Sequence, residues 1–308
     1  MTATQPAAER VRAAVAAARA VATEHGLRVE EVRLVHDGVN VVLHLAPAPV
    51  AVRVATLTPL LRDGARSFAR EVELAGALAE AGAAVIPPSD LVPPGPHTAG
   101  GLALSFWRYV EVLPERPTPE LAGRTLADLH AVLADVAPPW EGAPLDTPLD
   151  DLALFAERGA GLAADPALVE RLAGLTEALR PRLEHAVDGA PHAVHGDAHP
   201  GNLIATRDGW RWADLEDTCR APWAWDLAVL RSTRQLDGRA ALAAMPHPPT
   251  DDQLAPFVWL RRLHGAAWWF VHAVRVPGDL PAAHQRLLEA VEEVSAGLAG
   301  RRPGPGRP

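Results

Sequence analysis

Apolar positions follow two different periods along the chain. Between residues 30 and 55 they recur at every second position, interrupted by Asp-Gly at 37–38 and Pro-Ala-Pro at 47–49. Alternation around such turn sequences predicts a series of antiparallel strands. Residues 102–112 repeat the alternation and predict another strand. Helical spacing predicts an alanine-rich helix over residues 7–24 and a second helix over residues 67–81.

Beyond residue 113 the pattern is mainly helical. Helices are predicted over residues 118–132, 149–161, 166–187, 227–234, 251–274 and 281–298, around a mixed segment at 192–226 that contains a hairpin-like run at 204–211. The predicted fold class is therefore α+β, with a small antiparallel N-terminal lobe (residues 1–113) carrying one main helix. A larger, mostly helical lobe follows over residues 114–300, and the Arg-Pro-Gly tail at 301–308 is expected to be disordered.

Composition removes several kinds of chemistry. The single cysteine, Cys219, excludes an intrachain disulfide and a cysteine-rich zinc site, and we expect it to be inert. All 29 basic residues are arginine, because the chain contains no lysine. A Schiff-base lysine and a Walker A phosphate loop are both excluded on that ground.

Charge and targeting signals narrow the partners. The net charge of −9 argues against a nucleic-acid partner, which needs a dense basic surface, and weakly favours a cationic small molecule. The sequence shows no basic patch followed by an apolar core at its start and no long uncharged apolar stretch. We therefore expect no membrane association and a cytoplasmic location.

The run His-Gly-Asp-Ala-His-Pro-Gly-Asn at residues 195–202 carries the chemistry. Its spacing, His-x-Asp-x-x-x-x-Asn, is typical of the catalytic loop of protein-kinase-like enzymes. There the aspartate, here Asp197, engages the acceptor hydroxyl, and the asparagine, here Asn202, holds magnesium. Asp214 follows twelve residues later and supplies a further hard oxygen donor of the kind that Mg²⁺ prefers.

These motifs resemble the aminoglycoside phosphotransferase family. Beside the loop, the resemblance includes Asp-Leu-Glu-Asp at 214–217, Trp-Asp-Leu-Ala at 225–228 and Leu-Ala-Asp-Leu-His at 126–130, and it spans roughly residues 30–275 in motif order. The family is related to choline and homoserine kinases and has a protein-kinase-like fold. The resemblance implies that His195 braces the loop, and Asp226 is expected to buttress it through hydrogen bonds to backbone amides.

The N-terminal half supplies the expected nucleotide contacts. By the resemblance, Asn40 belongs to a nucleotide-covering turn, Arg53 anchors phosphate and pairs with Glu71, and the backbone around Trp107 and Tyr109 forms a hinge that binds adenine. Arg53 stands where the family usually has lysine, so its grip on phosphate has a different geometry.

Each of these residues also has an ordinary structural interpretation. Arg53 and Glu71 would be solvated surface residues, Asn40 a turn residue, and the hinge an edge strand. The aromatic run at 268–270 is more typical of a helical core than of an acceptor pocket.

The sequence thus predicts magnesium-dependent transfer of the γ-phosphate of ATP or GTP to a hydroxyl of a small molecule. Acidic side chains could attract an ammonium group of a cationic acceptor; they are Asp150, Asp151, Glu216 and Asp217. One alternative is a metal-dependent hydrolase that uses His192, His195, Asp197 and His199 as ligands. The other is a catalytically silent kinase-like binding protein.

Overall fold

A computed structural model describes residues 7–136, 140–186 and 191–300. Its N-terminal part is an antiparallel five-stranded sheet with the order β1-β2-β3-β5-β4. The elements there are α1 (Ala7–Glu24), β1 (Val29–Asp37), β2 (Asn40–Pro47), β3 (Val50–Ala55), α2 (Gly64–Glu80), β4 (His97–Ala99) and β5 (Leu102–Arg108). The tail at 301–308, for which disorder was predicted, lies outside the described residues.

Burial of the alternating side chains explains this sheet. Val41, Leu43 and Leu45 of β2 pack with Val52 of β3 in a core that Ala18 and its neighbours on α1 close from one side. The opposite face carries polar side chains such as His44 and Arg53, so a shift by one residue would place polar groups in this apolar core, and the pattern therefore pins the strand register.

In the N-terminal part, two boundaries differ from the prediction by three or four residues and one strand, β4, was not predicted, each for a local reason. The side chain of Asp63 accepts hydrogen bonds from two amides of the first turn, so α2 begins at Gly64 rather than at residue 67. Strand β5 ends at Arg108, because that residue pairs with Val50, the first residue of β3. Strand β4 is only three residues long, too short to show a period.

The C-terminal part is helical with two small hairpins. Its helices are α3 (Pro119–Leu133), α4 (Asp146–Arg158), α5 (Pro166–Ala186), α6 (Ala224–Ser232), α7 (Gly238–Ala243), α8 (Asp251–Arg275) and α9 (Leu280–Gly300). Its strands are β6 (His192–Val194), β7 (Leu203–Thr206), β8 (Gly209–Trp212) and β9 (Cys219–Ala221), paired β6 with β9 and β7 with β8. The α+β class, with a sheet in the N-terminal lobe and helices after it, is confirmed.

Residues 109–118 connect the two parts without regular structure. The predicted lobe boundary at residues 113 and 114 falls in this segment and stays a prediction. Within the described residues, no helix is both long and apolar enough to cross a bilayer. That finding concerns helices alone, so the cytoplasmic location also stays a prediction.

Candidate active site

A buried carboxylate shapes the loop at residues 195–202. Asp226, in the first turn of α6, is fully buried and accepts hydrogen bonds from the amides of His195 (2.9 Å) and Gly196 (2.8 Å). The ring of His130 on α3 contacts the same carboxylate at 3.0 Å. One side chain therefore ties the start of the loop to two helices, in agreement with the buttressing role expected for Asp226.

The loop is also pressed against the segment that carries Asp214. His195 Nε2 lies 3.1 Å from the carbonyl oxygen of Ala213. Gly196 has φ +87°, and a Cβ there would lie 2.0 Å from the carbonyl oxygen of Asp217. Only glycine fits that approach. His195 thus makes a structural contact between the two segments, which supports the bracing role that the resemblance implies.

Asp197 lies at the centre of a set of hydrogen bonds. Its Oδ1 accepts from Arg261 Nη2 at 2.5 Å, and its Oδ2 lies 3.4 Å from His199 Nε2. Asn202 Nδ2 donates to the Asp197 carbonyl oxygen at 2.9 Å. Burial raises the pKa of Asp197, but Arg261 and His199 outweigh it and hold that pKa well below its ordinary value. The carboxylate is therefore ionised at neutral pH.

Asn202 and Asp214 come together as the sequence predicts. The amide of Ala213, beside Asp214, donates to the carbonyl oxygen of Asn202 at 2.9 Å. Asp214 has φ +65°, in the left-handed region that non-glycine residues seldom adopt, and its side chain is 43% exposed. Strained backbone of this kind is concentrated at functional sites. An amide oxygen and an accessible carboxylate at one loop edge fit a hard divalent cation.

Arg53 forms ion pairs with three acidic side chains. It pairs with Glu71, as predicted, and also with Asp214 (2.6 Å) and Glu216 (3.0 Å). Burial, with Asp214 and Glu216 nearby, raises the pKa of Glu71 to about 8 despite the arginine. Glu71 Oε2 is buried without a hydrogen-bond partner, so a negative charge on that oxygen is poorly compensated, in agreement with the raised pKa. Burial and the Asp214 carboxylate raise the pKa of Glu216 to about 7.

Asn40 has a different set of contacts from the expected one. Its Nδ2 donates to Glu216 Oε2 at 2.5 Å, and its Oδ1 accepts from Thr58 Oγ1 at 2.8 Å. Both ends of the amide are therefore engaged within the protein. These contacts point to a role in holding Glu216, and the contact of Asn40 with a nucleotide stays a prediction.

Two cavities meet at Arg53 and Asp214. The first, of about 300 Å³, is mainly apolar, and its lining includes Trp107, Tyr109 and Asn202. The second, of about 420 Å³, contains Asp197. A flat apolar base fits the first cavity, and the loop edge between the two could hold phosphates.

The hinge segment itself differs in detail from the prediction. The amides of Arg108 and Tyr109 donate to the carbonyl oxygens of Pro87 (3.1 Å) and Pro49 (2.9 Å). Among the described residues, the Val110 amide has no acceptor, so it is the N–H of this segment best placed to bind a base.

The aromatic run at 268–270 divides between core and cavity. Phe270 is fully buried in the helical core, whereas Trp268 and Trp269 are half-buried and line the cavity that contains Asp197. Phe270 is therefore a core residue, and the two tryptophans pack against that core and also face the cavity.

The geometry does not support a hydrolase site. The ring of His192 stacks on Trp223 at 4.2 Å, and His195 Nε2 contacts a carbonyl oxygen. In the described part of the chain, no three His, Cys, Asp or Glu side chains are grouped so that they could hold a metal ion. Cys219 is buried, and burial raises the pKa of its thiol, in agreement with an inert residue.

Two arginines of the site were missed at the sequence level. Arg261 contacts Asp197, and Arg62 pairs with Asp151 and Asp217 beneath the cavity. Arg261 precedes Trp268 by seven residues, which places both on one helix face, so helical spacing could have indicated it. No local pattern distinguishes Arg62.

Solved structures show the same fold at low sequence identity. The amicoumacin kinase hAmiN in complex with AMP-PNP, Ca²⁺ and Ami aligns with a TM-score of 0.65 at 14% identity, over 91% of this chain and 93% of its own. Choline kinase LicA from Streptococcus pneumoniae aligns at 0.63 and 16%, over 92% and 99%. APH(2″)-IIia in complex with GDP and kanamycin aligns at 0.60 and 17%, over 91% and 98%.

At the sequence level, no curated protein matches the chain. The sequence model of the phosphotransferase enzyme family does, over residues 40–257. That span includes Arg53, the loop at 195–202 and Asp214. The match confirms the resemblance described above and leaves the hydrolase and the silent binding protein without support. The chain belongs to the phosphotransferase enzyme family.

Proposed function

We propose that the protein transfers the γ-phosphoryl group of ATP or GTP to a hydroxyl group of a small molecule, with Mg²⁺ as the cofactor. The observation that supports this most is the junction of the two cavities at Arg53 and Asp214, with Asn202 lining the apolar cavity and Asp197 lining the other. The junction separates an apolar site for a base from a site that contains an ionised carboxylate.

The nucleotide is expected in the apolar cavity, with its base against Trp107 and Tyr109 and its phosphates directed toward Arg53. Arg53 is already held by Glu71, so its guanidinium is oriented before any ligand arrives. A preorganised cation of this kind lowers the cost of binding phosphate.

Asn202 Oδ1 and the Asp214 carboxylate are the proposed metal ligands. The hydrogen bond from Asn202 Nδ2 to the Asp197 carbonyl turns the amide so that its oxygen is the end that can bind a cation. When bound, Mg²⁺ neutralises phosphate charge that develops during transfer. Two protein ligands agree with the habit of magnesium of keeping water and phosphate oxygens in its coordination shell.

Asp197 is the proposed catalytic carboxylate. It orients the acceptor hydroxyl, whose oxygen attacks the γ-phosphorus while the bond to the β,γ-bridging oxygen breaks, and it receives the hydroxyl proton. The depressed pKa of Asp197 favours orientation over early proton removal, in keeping with the loose transition state of phosphoryl transfer.

The first test separates metal binding from transfer. Asp214→Asn is expected to weaken Mg-nucleotide binding in calorimetry, because a charged ligand of the metal is lost. Asp197→Asn is expected to leave that binding within about twofold but to lower turnover by ~10²–10⁴-fold. Asp208→Asn, an exposed aspartate on the β7–β8 turn, is the matched control and should change neither.

Titrations with ATP and GTP in parallel decide the nucleotide. Binding of neither nucleotide to the folded protein at millimolar concentration with excess Mg²⁺ would contradict the proposal. Loss of nucleotide binding in Asp197→Asn, to the extent seen for Asp214→Asn, would instead assign Asp197 to the metal site.

A further inference from the structure

One face of α8 forms a wall of the cavity that contains Asp197. The residues on this face are Arg261, His264, Gly265, Trp268, Trp269 and His272. Their spacing of three, four, seven, eight and eleven residues from Arg261 places them on one stripe of the helix. A group bound against this stripe would therefore meet Arg261 at the end nearest to Asp197.

The carboxylates of this cavity are already paired. Asp214 and Glu216 share Arg53, and Asp217 pairs with Arg62. Of the other acidic side chains expected to attract an ammonium group, Asp151 also pairs with Arg62, and Asp150 lies in a separate cavity beside α2. Each carboxylate that lines the cavity therefore already engages an arginine, and an ammonium group would have to compete for it.

Arg261 differs from the other two arginines of the site. Arg53 and Arg62 are buried, and each holds at least two carboxylates. Among the described residues, Asp197 is the only hydrogen-bond partner of Arg261, whose side chain is 20% exposed. A guanidinium carries five N–H donors, so Arg261 retains donors for a second anion in the cavity.

Gly265 contributes open space to the same face. It lies in the interior of a 25-residue helix, where glycine costs about 1 kcal/mol relative to alanine. A Cβ at Gly265 would meet no atom within 4 Å, so packing within the described chain does not require glycine there. The missing side chain instead widens the cavity one turn from Arg261.

We propose that the acceptor is a hydroxy acid bound along this face of α8, with its carboxylate on Arg261, its hydroxyl on Asp197 and its body over Gly265. The inference rests on the proposed function and adds the charge of the acceptor. Because Arg261 and Asp197 are in direct contact, the carboxylate and the hydroxyl must be close together in the acceptor, as in 2-hydroxy and 3-hydroxy acids. One guanidinium edge matches the planar geometry and single charge of a carboxylate better than those of a phosphate dianion.

The test compares alcohols in which the carboxylate is replaced by a neutral hydroxymethyl group or by a cationic aminomethyl group. One set is glycerate, glycerol and 3-amino-1,2-propanediol; the other is 3-phenyllactate, 3-phenylpropane-1,2-diol and 1-amino-3-phenylpropan-2-ol. Transfer is followed by ³¹P NMR with enzyme saturated with Mg-nucleotide. We expect the carboxylate of at least one set to have a kcat/KM at least tenfold above that of its neutral and cationic counterparts. Arg261→Gln should abolish this preference, mainly through KM, because a charge-assisted hydrogen bond is lost.

Gly265→Ala tests the position of the acceptor separately. It should leave Mg-nucleotide binding unchanged and leave the melting temperature unchanged or higher, but it should raise the KM for the carboxylate several-fold. Gly174→Ala, at an exposed glycine of α5 that also has open space around its Cβ position, is the matched control and should not change KM.

Three results would overturn the inference in a protein that still binds Mg-nucleotide. They are a preference for the neutral or cationic alcohol, equal turnover of all three alcohols of a set, and no transfer to either carboxylate. An unchanged KM in Gly265→Ala would overturn the position. Failure of the proposed function would give a different result. In that case the protein would not bind Mg-nucleotide, which is measured with no acceptor present.

Discussion

Glu71 is the residue whose protonation the fold changes most clearly. It is 1% exposed, it receives hydrogen bonds from Arg53 and from the Leu215 amide (3.0 Å) on Oε1, and its Oε2 has no partner. The pKa of about 8 means that the folded protein binds a proton which the unfolded chain releases near pH 4.5. The contribution of this proton to stability is therefore fully present below the pKa of Glu71 in the unfolded chain, and it is lost as pH rises through the pKa of Glu71 in the folded protein.

Replacement of Glu71 by glutamine should flatten this pH dependence. For the nucleotide-free protein, the free energy of unfolding should fall between pH 5 and 8 by up to about 1.4 kcal/mol per pH unit from this group alone. Glu71→Gln should lose that component, because an amide does not titrate. Urea denaturation of both proteins across this range measures it, and parallel slopes would show that Glu71 is already ionised at pH 5.

At the scale of elements, close backbone contact decides where α3 sits. A Cβ at Gly123 of α3 would lie 2.0 Å from the carbonyl oxygen of Ala241 on α7. The two helices approach each other only because this residue is glycine. Helix α3 also carries His130, which contacts Asp226. Because Asp226 holds the start of the loop at 195–202, the position of α3 affects the position of that loop.

Gly123→Ala should therefore destabilise the protein by about 1–3 kcal/mol, because overpacking outweighs the better helix propensity of alanine. Gly174→Ala makes the same change where the Cβ has room, and it should be neutral or stabilising by up to about 1 kcal/mol. Urea denaturation of the two variants gives the comparison. Equal stabilities would mean that α3 and α7 can separate at little cost.

At the scale of the whole molecule, Arg62 joins the two parts of the chain. It lies between β3 and α2, and it pairs with Asp151 on α4 and with Asp217, which follows the loop at 195–202. Asp151 is 2% exposed and also accepts from Trp268 Nε1 (2.9 Å), with His264 Nε2 at 2.8 Å. Trp268 and His264, which contact Asp151, also line the cavity that contains Asp197, so these contacts adjoin that cavity.

Arg62→Met should cost about 3–5 kcal/mol of unfolding free energy, because a buried carboxylate at Asp151 loses its counter-charge. The double variant Arg62→Met/Asp151→Asn should recover part of that loss. Chemical denaturation measures both. A cost below about 1 kcal/mol for the single variant would mean that water reaches Asp151 and that the pair is not a buried one.

Patterns of neighbouring residues along the sequence were enough to predict most of the N-terminal sheet and the loop at 195–202. Alternating apolar positions predicted four of the five strands of the sheet, all except β4. The loop at 195–202 with Asp214 could be recognised because its groups lie within twenty residues of each other. Over so short a span, one tight loop and one hairpin suffice to bring the oxygens together. The errors there were boundaries, such as the start of α2 and the end of β5, which a cap and a partner strand decide.

Only the tertiary structure decided the partners of those groups. The contacts of Arg261 with Asp197, of Arg62 with Asp151 and of Arg53 with Glu216 join residues separated by 64, 89 and 163 positions. Periodicity reports which face of an element is buried, but not which distant element covers it. The charge that each carboxylate presents to a ligand depends on those distant arginines, so the sequence alone indicated the family and the motif of the site, and packing decided which charges face the cavities.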